Sequence, residues 1–317
     1  MKRVLISDRT HPVLEERLRE AGYDVRVEPD HDYESLVQAA QGCDALVVRS
    51  KVNIDSAFID RVPLLKCIGR VGAGMETIDV DYAEARGVRC LNSPEGNRDA
   101  VGEHAVGLLL ALLDNIARAD AEVRRGLWQR EANRGYELGP LTVGIIGYGN
   151  MGQSFARRLS GFGCRVVYYD KYLDNLDNLE KLDNLERVSL ETLQEVADVV
   201  SFHVPLTEET RYYLDDAFVS RMHKPFYLIN TARGSVVDTD ALVRGLESGK
   251  VLGAALDVLE YENMQADGLG TRTSPSALEY LKRSPRTVLT PHVAGWTVES
   301  KYKLAAVLAD KIIGVLK

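Results

Sequence analysis

Positive charge is in deficit: 39 Lys and Arg stand against 47 Asp and Glu, for a formal net charge of −8 at pH 7. So acidic a chain lacks the basic surface that phosphate backbones demand, which excludes nucleic acid as a main partner. Cysteine is scarce as well. Cys43, Cys67, Cys90 and Cys164 are scattered without metal-ligand spacing, which predicts reduced thiols in a cytoplasmic protein and no metal site. Apolar runs are too short to cross a membrane; the stretch Val106 to Leu113 stops at Asp114. At the start, Val4-Leu-Ile is the whole apolar run before Ser7-Asp8-Arg9, so no signal peptide is expected. Apolar residues as such are plentiful, 45% of 317, enough to bury the cores of two domains.

Short apolar runs alternate with helical patterns from the first residues. Val4–Ile6, Val25–Val27, Ala45–Val48, Leu65–Ile68 and Val88–Leu91 read as strands, with amphipathic helices at Val13–Glu20 and Tyr33–Ala40 between them. This is a parallel α/β unit of about 90 residues. A second series follows at Val143–Ile146, Val166–Tyr169, Val188, Val199–Phe202, Phe226–Ile229, Gly253–Leu256 and Val288–Thr290. The last helix, Val298 to Val315, is expected to return to the first unit. The predicted fold is therefore α/β, two Rossmann-like or flavodoxin-like domains with parallel sheets, the nucleotide domain inserted into the substrate domain. Residues 1–96 and 292–317 would form one domain and 97–291 the other, with a ligand-enclosing cleft between them. Asn97 to Arg124 reads as one long helix capped by Asn97, either a hinge and homodimer element or a long core helix. In Leu173–Leu185 leucine recurs every three residues, matching neither the helix nor the strand period, and is read as a solvated surface turn or short helix beyond Asp170.

The second series opens on Thr142-Val-Gly-Ile-Ile-Gly147-Tyr-Gly149-Asn150-Met151-Gly152 and continues to Val166-Val-Tyr-Tyr-Asp170. An apolar strand enters a glycine turn, a helix follows, and a second strand ends in a lone carboxylate. Gly147 permits the tight turn, Gly149 lets a pyrophosphate approach the backbone, and Gly152 lets the helix sit close on the sheet. The helix N-terminus offers N–H groups and positive dipole to phosphate. Asp170 is placed to accept both ribose hydroxyls and would repel a 2′-phosphate, so the expected cofactor is NAD rather than NADP.

Three polar groups fall where segments leave the second sheet. Arg233 follows Ile229-Asn-Thr-Ala, Asp257 ends Ala254-Ala-Leu256 with Glu262 soon after, and His292 follows Val288-Leu-Thr-Pro291. Ligands of open α/β sheets sit beyond the carboxyl ends of strands, so groups distant in sequence can converge there. Arg offers a planar fork to a carboxylate, His a proton near neutral pH, and Glu a charge that stabilises imidazolium. Among the other histidines, His11, His31 and His223 read as structural. His104 reads as a hydrogen-bonding residue on a helix face, and His203 as ending a strand on the adenosine side.

Taken together, these residues resemble the D-2-hydroxyacid dehydrogenase family. The shared motifs are Gly69-Arg70-Val-Gly72-Ala73-Gly74, Asn92-Ser-Pro-Glu-Gly-Asn97 with Glu103-His104, the three-glycine turn, and His203-Val204-Pro205. Asn230-Thr231-Ala232-Arg233-Gly234, Asp257-Val-Leu-Glu-Tyr-Glu262 and Pro291-His292-Val-Ala-Gly295 complete them. Within the family the likeness runs to the catalytic portion of the 3-phosphoglycerate dehydrogenases, through Val48-Arg49-Ser50 and Gly69-Arg70. The resemblance implies that Arg233, Glu262 and His292 are the catalytic trio. It implies that Gly72, Ala73 and Gly74 receive the substrate carboxylate, and that Asp257 faces the nicotinamide amide. Gly147, Gly149, Asn150, Met151, Gly152, Asp170, His203, Val204, Pro205, Thr231, Ala232, Arg233, His292 and Gly295 would line the cofactor.

The activity implied is hydride transfer between NAD(H) and a small 2-hydroxy or 2-keto acid, plausibly 3-phosphoglycerate and 3-phosphohydroxypyruvate. Arg49 and Arg70 would then hold the phosphate, or else form ordinary surface salt bridges. Glyoxylate or hydroxypyruvate reduction is the alternative activity, and a non-enzymatic NAD-binding corepressor-like scaffold the alternative of another class. Two departures from the family pattern stand out: Asn263 replaces the proline usual after the Glu, and extra residues separate Glu262 from His292. With Pro275 to Arg283 reading as a helix and Trp296 nearby, they are expected to reshape the substrate mouth. The sequence stops soon after the last helix, so serine feedback through a regulatory domain is not expected.

Overall fold

The computed structural model describes residues 1–173, 182–263, 268–269 and 276–317. Among these the chain divides into two compact units: Met1–Arg98 with Trp296–Lys317, and Asp99–Asn263 with Gly268–Gly295.

The first unit holds β1 (Arg3–Ile6), α1 (Val13–Glu20), β2 (Asp24–Val27), α2 (Tyr33–Ala39), β3 (Ala45–Val48) and α3 (Ser56–Arg61). It continues with β4 (Cys67–Arg70), α4 (Val80–Ala85) and β5 (Arg89–Leu91). The strands are parallel in the order β2-β1-β3-β4-β5, one of the two common doubly wound orders. β4 begins two residues later than the apolar pattern suggested, which carries the strand through Arg70. Asp32, Asp55 and Asp79 cap α2, α3 and α4 through side-chain bonds to the backbone N–H of Ser35, Phe58 and Tyr82. The C-terminal helix, Val298–Leu316, packs Ala305, Leu308, Ala309 and Ile312 against the sheet with Leu14 and Leu18 of α1. Gly69 of β4 admits it: a Cβ there would lie 3.1 Å from Ile312 Cδ1 and 3.2 Å from Leu308 Cδ1.

The second unit begins at Asp99, within α5 (Arg98–Leu113), and continues with α6 (Ile116–Arg124). These correct the single helix expected over 97–124. Asn115, in the left-handed region at φ 55°, breaks the run and bends it by 62°. Nor does Asn97 cap the helix, since its Oδ1 is buried with no hydrogen-bond partner. No single helix among the described residues is long and apolar enough to cross a membrane. The sheet follows with β6 (Thr142–Ile146), α7 (Asn150–Leu159), β7 (Arg165–Tyr169), β8 (Leu185–Arg187), α8 (Leu190–Val196) and β9 (Val199–Phe202). After these come α9 (Asp216–Arg221), β10 (Phe226–Asn230), α10 (Thr239–Glu247) and β11 (Val251–Leu256). A two-stranded antiparallel hairpin, β12 (Glu262–Asn263) and β13 (Gly268–Leu269), precedes α11 (Ser276–Arg283) and β14 (Thr287–Leu289). β8 ends at Arg187, so the strand expected at Val188 lies just before it.

The order β14-β11-β10-β9-β6-β7-β8 is the dinucleotide-binding one, with the switch point between β6 and β9. Both faces are covered. Val143 and Ile145 of β6 pack with Leu109 of α5 and Phe155 of α7, while Ile146 packs on the other side with Phe202 and Leu193. Each such side chain contributes about 1.5–3 kcal/mol by leaving water. The Leu-Asp-Asn repeat lies mostly outside the described residues, as does most of the segment between Glu262 and α11.

Candidate active site

The glycine turn after β6 is built by steric necessity. Gly147 sits at φ 89°, and a Cβ there would lie 2.6 Å from the His203 carbonyl oxygen. At Gly152 the same addition would come 2.2 Å from the Gly147 carbonyl oxygen, so α7 lies against the turn itself. Gly149 differs: nothing lies within 4 Å of where its Cβ would be. Gly149 is exposed and, as the N-cap of α7, offers no side chain to the first-turn N–H groups. Asp170, one residue past β7, accepts from the N–H of Tyr148 at 2.7 Å and of Tyr172 at 2.9 Å, tying the acid to the turn. Tyr148 is buried and stacked on Tyr168, with centroids 3.9 Å apart.

On the other side of the switch point, β9 runs into His203. Its Nε2 lies 2.9 Å from Ser201 Oγ, and burial pushes the imidazole down to about 3, so it is neutral. Val204 follows at the turn, with Cγ1 2.8 Å from the place a Gly147 Cβ would take, and the carbonyl of Pro205 accepts from Thr210 Oγ1 at 2.6 Å. Two buried polar atoms here have no partner among the described residues: His203 Nδ1 and Thr231 Oγ1, the latter just past β10. Buried polar atoms of this kind ordinarily find a donor or acceptor.

Adjacent strands deliver the groups that the sequence singles out. After β10, Asn230 holds the turn by accepting from the Ala232 N–H at 3.0 Å and donating to the Arg233 carbonyl at 2.9 Å. Arg233 Nη1 donates to the Ala232 carbonyl at 2.6 Å. Gly234 lies against the segment after β11, where a Cβ would come 2.0 Å from the Leu259 carbonyl. In that segment the Leu259 N–H donates to Glu262 Oε1, and Glu262 Oε2 lies 2.6 Å from His292 Nδ1. His292 sits past β14 with φ 54°, unusual for a non-glycine residue. Its side chain is 35% exposed and that of Glu262 21%, so the pair is neither dry nor fully wet.

Asp257 closes the arrangement. It is 1% exposed. Oδ1 accepts from Thr290 Oγ1 at 2.5 Å and the Val293 N–H at 2.9 Å, and Oδ2 from the Ala294 N–H at 2.8 Å. Its own carbonyl accepts from the His292 N–H at 2.7 Å. Burial alone would raise this carboxyl, but His104, Thr290 and the two amides outweigh it and hold it below the usual range.

A helix N-terminus without a side-chain cap and an imidazole held by a carboxylate, both at strand ends of one parallel sheet, suit a dinucleotide redox site. Residues 106–294 match the model of the D-isomer specific 2-hydroxyacid dehydrogenase NAD-binding domain. The chain belongs to the D-isomer specific 2-hydroxyacid dehydrogenase family. It is an NAD-dependent oxidoreductase. Glyoxylate reductase from Thermofilum pendens is 37% identical over 288 residues, covering 90% of this chain and 81% of that protein. D-3-phosphoglycerate dehydrogenase from Archaeoglobus fulgidus is 33% identical over 99% of this chain, which spans 57% of that longer protein. Among solved structures, D-lactate dehydrogenase from Aquifex aeolicus, complexed with NAD and lactic acid, superposes with a TM-score of 0.82 at 27% identity, covering 99% of this chain and 94% of that one. The dehydrogenase's residues fit the cofactor: open space at Gly149, an uncapped helix start, and unpartnered Thr231 Oγ1 beside the site.

In the first unit the dehydrogenase carries the expected substrate residues. The Arg49 N–H donates to the buried Asp8 at 2.7 Å, while its guanidinium carbon lies 4.8 Å from the centroid of the Trp296 ring. Burial lowers Arg49, offset in part by Asp8, yet an arginine stays charged. Arg70 lies across Gly72, where a Cβ would come 1.7 Å from Nη1 and would displace the guanidinium; the φ of 154° there also favours glycine. Asn92 Nδ2 donates to the Ala73 carbonyl at 2.6 Å and the Ser93 N–H to that of Gly72 at 2.9 Å, which fixes the loop leading to Gly74. Thr290 and Asp8 escaped the sequence reading, and Asn230 entered it only as part of a shared motif. Each acts through backbone or buried contacts that no spacing rule marks.

Proposed function

We propose that this dehydrogenase interconverts a small 2-hydroxy acid and its 2-keto acid, with 3-phosphoglycerate and 3-phosphohydroxypyruvate as the preferred pair. The contact between His292 Nδ1 and Glu262 Oε2 carries the chemical part. With Nδ1 given to the carboxylate, Nε2 is the nitrogen left to exchange a proton with substrate oxygen. When bound, the nicotinamide supplies or takes the hydride. In reduction, His292 donates the proton to the developing alkoxide, Glu262 holds the imidazolium, and Arg233 clamps the substrate carboxylate and polarises the carbonyl. In oxidation, neutral His292 takes the hydroxyl proton. Domain roles follow the same reading: residues 97–291 bind NAD, and residues 1–96 with 292–317 bind substrate, through Gly72, Ala73 and Gly74 for the carboxylate.

The phosphate part rests on Arg49 and Arg70, two guanidinium groups of the first unit beside that glycine loop. A second reading, glyoxylate or hydroxypyruvate reduction, draws on the glyoxylate reductase likeness and on the Trp296 ring already covering one face of Arg49. An NADH-oxidation panel separates them. A preference for 3-phosphohydroxypyruvate over hydroxypyruvate of at least about tenfold in kcat/KM, worth about 1.4 kcal/mol, is expected. Arg49→Ala should erase that preference while sparing glyoxylate. Equal losses on all three substrates would reject the phosphate reading and leave the reductase.

Assembly and location belong to the same proposal. α6 buries none of its residues, and Ile116, Val123, Leu127 and Trp128 are exposed along and just beyond it. A homodimer formed through the α5–α6 region accounts for such a face. Free thiols at Cys43, Cys67, Cys90 and Cys164 suit a reducing cytoplasm.

A further inference from the structure

His104 belongs to α5, yet its imidazole reaches the residues just before His292. His104 Nε2 lies 3.1 Å from Thr290 Oγ1 and 3.4 Å from Asp257 Oδ1. The hydroxyl of Thr290 has one proton and lies 2.5 Å from an ionised carboxylate oxygen, so that proton points to Asp257. What Thr290 offers His104 is a lone pair, and Nε2 must therefore carry the hydrogen. The resulting chain runs from His104 to Thr290 to Asp257, and from Asp257 to the Val293 and Ala294 amides. Between them lies His292, with its N–H on the Asp257 carbonyl and φ at 54°. A non-glycine residue in that region holds a conformation that persists only when its surroundings over-determine it. The bonds from Asp257 do so on either side of His292, and His104 braces Thr290, which supplies one of them.

We infer that His104 is a positioning residue of this dehydrogenase: through Thr290 and Asp257 it holds the His292 turn so that the imidazole stays aligned with Glu262. The inference rests on the reading of His292 as the proton donor and goes beyond it, because His104 itself touches neither His292 nor Glu262 through any bond described above. Loosening the turn displaces a reacting group without removing it, and a misplacement of about 1 Å is enough to cost about 100-fold in rate.

The test is a small variant set assayed for keto-acid reduction, NADH affinity by fluorescence, and the Nδ1 proton of His292 by NMR. His104→Ala should lower kcat about 10- to 100-fold, leave the NADH Kd within about twofold, and broaden that Nδ1 resonance. His104→Gln keeps an N–H donor at similar reach and should recover most of kcat. Thr290→Val interrupts the same chain, so adding His104→Ala to it should cost little more, a non-additivity that a purely structural helix residue does not show. Wild-type kcat in His104→Ala, a Gln variant no better than the Ala variant, fully additive losses, or a loss confined to NADH affinity would each overturn the inference. His292→Ala separates the two levels. If it keeps turnover, the proton-donor reading fails; if it is dead while His104→Ala is intact, only the positioning role fails.

Discussion

Gly149 and Gly152 stand in one glycine turn but answer to different constraints, and substituting each should separate the fold from the cofactor. Gly149 has φ −76° and ψ −153°, a backbone that any residue adopts, and its missing Cβ faces empty space. Gly149→Val therefore has no contact to violate in the free protein. Its stability should fall by no more than about 1 kcal/mol, the usual loss when an apolar residue replaces a preferred N-cap residue, which is a shift of about 2–4 °C in Tm. If the pyrophosphate reaches the backbone at that point, an isopropyl group stands where the phosphate oxygens must go. NADH affinity should then fall at least about 100-fold, or about 2.7 kcal/mol. Gly152→Ala should behave in the opposite way. Its methyl would meet the Gly147 carbonyl oxygen at 2.2 Å and Ile145 Cγ2 at 3.2 Å before any ligand arrives. Relief requires α7 or the turn to move, which costs about 1–3 kcal/mol as overpacking and several degrees in Tm. Thermal unfolding and NADH fluorescence titration of both variants are sufficient. A Gly149→Val protein that binds NADH like the wild type would refute the placement of the pyrophosphate. One that melts as early as Gly152→Ala would refute the steric reasoning.

Other expectations bear on protonation, catalysis and assembly. His203 titrates near 3 in the fold against 6.5 when free, so between those values the unfolded chain binds a proton that the folded one refuses, and stability falls as pH drops. From about pH 7 to about pH 5 this residue should cost about 2 kcal/mol, read as the difference in urea unfolding between wild type and His203→Gln; parallel pH dependences would discount it. Glu262→Gln keeps the shape of the pair but removes its charge, and should lower kcat for reduction about 10- to 100-fold with NADH affinity unchanged; wild-type turnover would take Glu262 out of the mechanism. Trp128→Glu adds a charge to the exposed apolar face beyond α6 and should convert the proposed dimer to monomers in light scattering, whereas an unchanged mass would reject an interface on this face.

Much of the nucleotide half was legible because backbone geometry dictates residue type there. Only glycine serves at Gly147 with φ 89°, and only glycine fits beneath the α7 start at Gly152. The strand ends carrying Arg233, Asp257 and His292 were legible for a related reason, since apolar runs of strand length each stopped at a polar residue. Periodicity failed where elements are short or change direction. α3 and α4, of six residues each, are too brief to show a repeat, and their Asp caps were the only mark they left. Over 97–124 the apolar stripe hid a break, because Asn115 turns left-handed without interrupting the supply of helix-forming residues on either side.

Asp257 shows a deeper reason why a site read from sequence stays incomplete. Resemblance to the family points its carboxylate at the nicotinamide amide, and in the fold both oxygens also accept bonds from the Thr290–Ala294 segment. A strand-end motif tells which residues gather, because strand registers set that; it does not tell which atom of each faces the ligand. Orientation is decided by bonds between residues 33, 36, 37 and 186 positions apart, none of which has a pattern to read. The left-handed His292 makes the consequence concrete. An asparagine or glycine would take that backbone with less strain, so a histidine there needs outside support. The buried carboxylate of Asp257, with Thr290 and His104 behind it, is what the fold provides, so under the proposed mechanism the imidazole is positioned by groups that the reaction itself does not require.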